Sequence, residues 1–310
     1  MNGPRVTRSL AAAVLGGLAL VTPALAAPAQ EEWVRTGDGI TAGISGIAVV
    51  ARGAAGVDTV VVHDNKRPGE PRISRIGLVP GSAPVVRVLR WQGGDRDPVD
   101  LESLSPVPGA PGELVALESS GHGFHLRLTG DTAQVLREFA VPGADAVDPA
   151  GHRDNYEAFF LAGTPGRLTA VWAHRGQDTD PAVLHAAALD WTALAFGARD
   201  SAPVRVPYPA AGVRHVSDLT VSPTGRVTVT SASDAGDDGP FDSAVYDVGR
   251  VESDLFGRPR PVLRDAPLRI AVFPGHKIEA LACGPAAQGV LGTDDENAGG
   301  RLRAATVCPL

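Results

Sequence analysis

The apolar residues of this chain are gathered into short runs that end abruptly in polar or charged residues. The pattern is plainest in five segments: VVVHDNK at 60–66, LVALESSGH at 114–122, LTAVWAHRG at 168–176, VTVTSASD at 227–234 and VLGTDDEN at 290–297. Short runs rich in valine, leucine and threonine, closed by turn-forming residues, predict β-strands. Each is preceded by a shorter motif of the form apolar, polar or acidic, small or Asp, apolar. It reads GISGIA at 43–48, DLESLS at 100–105, NYEAFF at 155–160, HVSDLT at 215–220 and HKIEALA at 276–282. The second position of the motif falls at Ser45, Glu102, Glu157, Ser217 and Glu279, with spacings of 57, 55, 60 and 62 residues.

A third strand follows in every unit: RISRIGLV, FHLRL, AVLHAAAL, SAVYDV and RLRAATV. A fourth fits in the first four units as VVRVLRW, VLREFAV, VRVPYP and LRIAVF. Four short antiparallel strands repeated at a nearly constant period predict an all-β propeller. The fifth unit ends without a fourth strand, and Trp33-Val34-Arg35 near the N-terminus supplies one. Pairing that strand with the last blade closes the ring and covers two sheet edges. Five blades account for the chain, with six as the alternative if a degenerate blade lies in the longer connections.

In a propeller the first strand of each blade lines the central channel and the second runs antiparallel beside it. The start of strand one and the end of strand two therefore meet at one face of the ring, around the channel mouth. That places His63, Asp64, Asn65 and Lys66 there from blade I, and Glu102, Glu118, Ser119 and His122 from blade II. Blade III brings His152, Asp154, Asn155, Glu157, His174 and Arg175, and blade IV His215, Asp218 and Asp234. Blade V adds His276, Lys277, Glu279, Asp294, Asp295, Glu296 and Asn297. Six of the eight histidines fall at these positions. Each feature also has a structural reading. The repeated acid can accept backbone N–H bonds from a neighbouring blade, and Asp and Asn form side-chain turns between strands. Converging acids also suit a hard cation such as Ca2+, which takes several oxygen ligands.

The N-terminus follows a different pattern. Arg5 and Arg8 precede an apolar run from Leu10 to Val21, and Ala24-Leu25-Ala26 is a small-x-small cleavage signature. This is the form of a secretory signal peptide spanning 1–26, too short for a membrane span, and it leaves a single propeller domain over 27–310. Glycine and proline together make up 63 of 310 residues, in keeping with many tight turns. A formal charge of −7 without a basic stripe argues against nucleic acid as partner. In an exported chain the two cysteines, Cys283 and Cys308, are expected to pair. A secreted, monomeric protein is expected.

No G-x-S-x-G elbow, H-E-x-x-H or phosphate-cradling loop is present. The alternation of IEALA with LGTDDENAGGRL, and of DLESLS with LVALESSG, resembles the secreted phytase-like (esterase-like) β-propeller proteins of bacteria. The resemblance implies an exported propeller with polar groups at the channel mouth. The calcium-dependent phytases among them imply more: six blades, bound Ca2+ and basic groups for phosphate. On that resemblance Glu102, Glu118, Glu279, Asp294, Asp295 and Glu296 are metal candidates, while Lys66, Arg175 and Lys277 are phosphate candidates. Ser45 and Ser217 depart from the pattern, since the family has an acid there. Two functions follow. One is a non-catalytic propeller that binds a small-molecule or protein ligand through Lys66, Glu102, Glu118, His122, Glu157, His174, Arg175 and Lys277. The other is a Ca2+-dependent hydrolase of phosphoesters or lactones, with metal at Glu279, Asp294, Asp295 and Glu296.

Overall fold

The computed structural model describes residues 32–53, 56–144, 155–284 and 287–309, together with Met1 and Gly3. The expected signal peptide lies outside them apart from those two residues, as do His152 and Asp154. A short strand β1 (Val34–Arg35) comes first. Blade I follows with β2 (Gly46–Gly53), β3 (Gly56–Val62), β4 (Ile73–Leu78) and β5 (Val85–Val88). The chain then crosses through β6 (Arg90–Gln92) into blade II, which is built from β7 (Leu101–Pro106), β8 (Glu113–Glu118), β9 (His122–Thr129) and β10 (Thr132–Ala140). β6 runs parallel along the outside of β10.

Blade III comprises β11 (Tyr156–Thr164), β12 (Arg167–His174) and β13 (Ala182–Asp190), with β14 (Ala195–Phe196) and β15 (Asp200–Val204) both paired to β13. Its outer strand is thus DSAPV, earlier than the VRVPYP segment expected from the apolar pattern. The expected segment is instead tied to neighbouring strands through its backbone: the Tyr208 carbonyl accepts from Ser231 Oγ at 2.8 Å. Blade IV contains β16 (Val213–Val221), β17 (Arg226–Ser233), β18 (Asp242–Ser253) and the long β19 (Pro259–Pro274). Blade V contains β20 (Ile278–Cys283), β21 (Gln288–Asp294) and β22 (Gly300–Thr306). β1 completes it, with Val34 opposite Leu302 and Arg35 opposite Arg301. The ring among the described residues therefore has five blades and is closed by the N-terminal strand.

The packing explains why the second strands read as unbroken apolar runs: they are buried on both faces. Val60 and Val62 point into the layer shared with blade II, while Val61 between them points into the layer shared with blade V. Leu114 and Ala116 likewise face blade I, and Val115 and Leu117 face blade III. Five apolar layers result, one for each neighbouring pair of blades, and the layer of Ile44, Ile47, Ala280 and Val290 joins the fifth blade to the first. The five innermost strands touch in sequence around the axis, with β20 against β2. Gly46 lies at one such contact. A Cβ there would stand 2.7 Å from the Leu104 backbone nitrogen, so only glycine allows the approach.

Polar side chains on the inner strands stitch the blades together. Ser103 Oγ accepts from Phe159 N at 2.9 Å and donates to Phe159 O at 3.1 Å, and Ser105 Oγ accepts from Leu161 N at 2.9 Å. Between blades IV and V, Ser217 Oγ donates to Ile278 O at 2.7 Å and Asp218 Oδ2 accepts from Leu281 N at 2.6 Å. The blade-to-blade bonding considered for the repeated acids is thus carried by small residues: Ser103, the residue after Glu102, and in blade IV Ser217 itself together with Asp218. Cys283 and Cys308 form a disulfide, Cα–Cα 5.6 Å, that fixes the end of the chain to the end of β20. Among the described residues no helix is long and apolar enough to cross a membrane.

Candidate functional site

Three inner strands carry a register irregularity at the same place. The pairing shifts between Leu101 and Ser103, between Tyr156 and Ala158, and between Ile278 and Ala280. The residue inserted each time is the repeated acid: Glu102, Glu157 or Glu279. A bulge adds one residue to a strand and re-aims its side chain. Here it turns all three carboxyls out of the inter-blade layers and into a common cavity at the channel mouth, about 330 Å3 in volume.

The cavity receives Asp64, Asn65 and Lys66 from the end of blade I's second strand, and Asn155, Arg175, Lys277 and Glu296 from other loops. These residues and the three bulge acids were all placed at the mouth by the repeat pattern. Five others that line it were not: Ile40, Arg67, Glu70, Asp100 and Arg214. Ile40 comes from a single 3-10 turn, Ile40–Ala42, between β1 and β2. Arg214 enters from blade IV, where Ser217 occupies the position of the acid and the register slips across a longer stretch, Arg214 to Asp218. The sequence signal for it is that blade's lack of an acid, coupled with a charged residue at the strand start.

Most charges in this cavity are matched. Arg214 Nη1 donates to Glu279 Oε1 at 2.7 Å and its Nη2 to Asp234 Oδ2 at 3.2 Å. Lys66 Nζ lies 2.9 Å from Asp100 Oδ1, and Arg175 Nη1 lies 3.6 Å from Glu157 Oε1. The Lys277 ammonium, only 3% exposed, stands 3.2 Å from both Glu279 Oε1 and Asp294 Oδ2 and also contacts Glu296 Oε1. The remaining acid of that group, Asp295, accepts from Lys277 N and pairs with His276 Nδ1, both at 2.8 Å. The four acids expected as metal ligands are thus arranged about an internal ammonium and a histidine. Ca2+ takes about six to eight oxygen ligands, and these carboxylates do not form such a cage. Among the described residues no cluster of His, Cys, Asp and Glu has the geometry of a metal site.

Two acids of the cavity stand apart. Asp64 and Glu102 make no hydrogen bond or ion pair among the described residues, although Glu102 is only 8% exposed. Glu157, 1% exposed, has one oxygen near Arg175 and the other, Oε2, buried without a partner. Their titration reflects this. Burial, reinforced by Glu157 and Asp100, holds the Glu102 carboxyl well above the ordinary range. Burial also pushes Glu157 up to about 7, against the pull of Arg214, and Asp64 up to about 6 with Glu279 adding to the effect. Burial disfavours the charge on Arg214 and Lys277 too, but the acids around them outweigh it and hold both above their ordinary values.

The other expected ligand residues do not line this cavity. Glu118 is clasped by Arg96 through two bonds of 2.7 and 2.5 Å and accepts from Val99 N at 2.7 Å. His122 pairs with Glu138 at 2.7 Å, and His174 Nδ1 accepts from Gly176 N at 3.3 Å. His63 is buried against Gly43 O at 2.5 Å and Ser74 Oγ at 2.9 Å, and His215 is held by Asp178 O at 3.0 Å and Val206 N at 3.2 Å. Burial lowers the pKa of both, so these loop histidines secure connections as neutral rings.

No protein-family model and no curated protein matches the chain. The resemblance to phytase-like propellers therefore stays at the level of the blade pattern. Among solved structures the chain is similar to a candidate 6-phosphogluconolactonase from Bacteroides uniformis, at 11% identity and a TM-score of 0.39 over 80% of this chain and 77% of that one. It is also similar to an exo-β-1,3-galactanase from Clostridium thermocellum, at 10% identity and a TM-score of 0.46 over 87% of this chain. The match spans 60% of the galactanase. At these levels neither activity transfers to this chain.

Proposed function

We propose that this protein is an exported binding propeller whose ligand, a small molecule, occupies the channel-mouth cavity. The observation that carries the reading is Glu102: a residue more than nine-tenths buried, lining the cavity, whose carboxyl has no partner among the described residues. A buried carboxyl is normally hydrogen-bonded, because leaving it bare costs free energy. Acids outnumber bases in the lining, seven to five. Lys66, Arg175, Arg214 and Lys277 moreover already face carboxylates, which disfavours a phosphate ligand and favours neutral or cationic molecules.

A second reading, hydrolysis, has its own support in the spread of carboxyl acidities. Glu102 holds its proton above the ordinary range while Asp64 titrates at about 6 in the same cavity. Separated pKa values in one site are what general acid and base groups require. In that reading Glu102 gives a proton to a leaving oxygen and Asp64 activates water on a neutral ester or lactone. The two readings part on one experiment. Wild type and Glu102→Gln are compared for turnover of a neutral lactone and a neutral aryl ester, and for small-molecule binding by thermal shift. Binding without turnover, lost in Glu102→Gln, is expected. Turnover abolished by the substitution would establish the hydrolase instead, and neither binding nor turnover would reject both.

A further inference from the structure

We propose that the ligand of the mouth cavity carries a primary ammonium group, held between Asp64, Glu102 and Glu157. The inference rests on the cavity being a binding site and names the class of molecule that fills it. Charge matching is the first argument. Arg214, Lys277, Arg175 and Lys66 each already have a carboxylate partner, while Arg67, the fifth basic residue of the lining, is exposed and its side chain forms no ion pair among the described residues. After these pairs are drawn, the unused acceptors are Asp64, Glu102 and Glu157 Oε2. Among the described residues, the buried part of the cavity thus holds carboxyl oxygens with no cation beside them.

Geometry narrows the type of cation. The three acceptors come from three successive blades and so approach the cavity from different directions. A primary ammonium offers three donors around a point, whereas a guanidinium offers a planar fork suited to a single carboxylate. A metal ion is less well served, since Ca2+ takes about six to eight converging oxygens. The chain itself contains a template for the interaction: beside this site the Lys277 ammonium is gripped by three carboxylates, Glu279, Asp294 and Glu296. The cavity's size leaves room for several more non-hydrogen atoms beyond the ammonium.

The charge state of the empty cavity adds a signature. Glu102 faces Glu157, Asp100, Glu279 and Asp64, with Lys66 and Arg214 on the positive side. In that company its carboxyl is held above the ordinary range, and Asp64 and Glu157 titrate at about 6 and about 7, so an ammonium that pairs with these groups expels protons. Affinity for an amine therefore rises as pH goes from 6 to 8, while affinity for a neutral ligand does not follow that course.

The test uses the full-length mature protein and four probes at matched ionic strength: methylammonium chloride, butane-1,4-diamine, calcium chloride and glucose. At about ten times Kd the amines are expected to raise Tm by about 2–3 °C. Calorimetry in buffers of different ionisation enthalpy should show proton release on binding. Glu102→Gln, and Asp64→Asn as a second, less buried substitution, should each weaken amine binding at least tenfold. Calcium binding that is lost in these variants would overturn the proposal in favour of a metal site. Glucose binding lost in Glu102→Gln, with no response to the amines, would overturn the ammonium class and leave the cavity as a binding site. Silence toward all four probes would overturn the proposal and count against that site.

Discussion

Replacing Lys277 by methionine removes the ammonium shared by three acids of blade V. The methionine keeps most of the side-chain volume but leaves Glu279, Asp294 and Glu296 without their shared partner. Glu279 and Asp294 are 2% and 1% exposed at the side chain, so water cannot replace the ammonium there. Removing one partner of a buried ion pair costs about 3–5 kcal/mol. Glu279 retains the 2.7 Å bond from Arg214, so the low end, about 3 kcal/mol, is expected near pH 7.5. For a domain of this size that is a fall in Tm of about 5 °C. The loss should shrink on acidification. Without the ammonium the carboxyls titrate higher in the folded state than in the unfolded chain. They then hold protons that the unfolded chain has released, and the variant recovers stability as pH falls from 8 to 5. Lys277, held above its ordinary pKa, stays charged across that window in the wild type. Urea unfolding of both proteins at pH 5 and 8 measures the effect. A loss below about 1 kcal/mol at both pH values would be that of a solvated surface pair, and would refute the buried cluster.

Glu157, titrating at about 7 in the folded protein, is protonated there at pH values where the unfolded chain has lost the proton. Between about 4.3 and 7 its ionisation therefore destabilises the fold progressively. The wild type should gain stability relative to Glu157→Gln as pH falls from 8 to 5, by paired thermal melts. The difference cancels the opposing effect of the buried histidines. Ser103→Ala should cost about 1–3 kcal/mol, because it strips the buried Phe159 N–H of its acceptor; chemical denaturation measures this. Replacing both cysteines by serine opens a loop with a sequence separation of 25 residues and should cost about 3 kcal/mol, read as a loss of Tm against the oxidised wild type.

The fold was legible in the sequence because each second strand is buried on both faces. Val60, Val61 and Val62 serve two different inter-blade layers, so every position must be apolar and the run stands out. The closing strand was legible from a shortage, the fifth unit's missing partner. The outer strand of blade III was not, since VRVPYP is as apolar as DSAPV is polar, and edge strands need little apolar burial to pair. At the site, Glu102, Glu157 and Glu279 were found by their repetition. What the sequence did not reveal is that they are bulge residues, and hence that the blade-to-blade bonds pass to neighbours such as Ser103. Arg214 breaks the repeat that located the others. The role of Lys277 was obscured because an ammonium buried among acids and a metal amid the same acids leave identical residue patterns; only the side-chain directions separate them.

Glu102 is a buried residue whose carboxyl faces the mouth cavity without a partner among the described residues. Carbon-13 NMR of the side-chain carboxyls, titrated from pH 4 to 9, tests this placement directly. The Glu102 resonance is expected to titrate well above the ordinary carboxylate range, with Asp64 at about 6 and Glu157 at about 7 in the same spectra. A Glu102 midpoint at the ordinary value would mean that its carboxylate is solvated or already paired, and would contradict this placement.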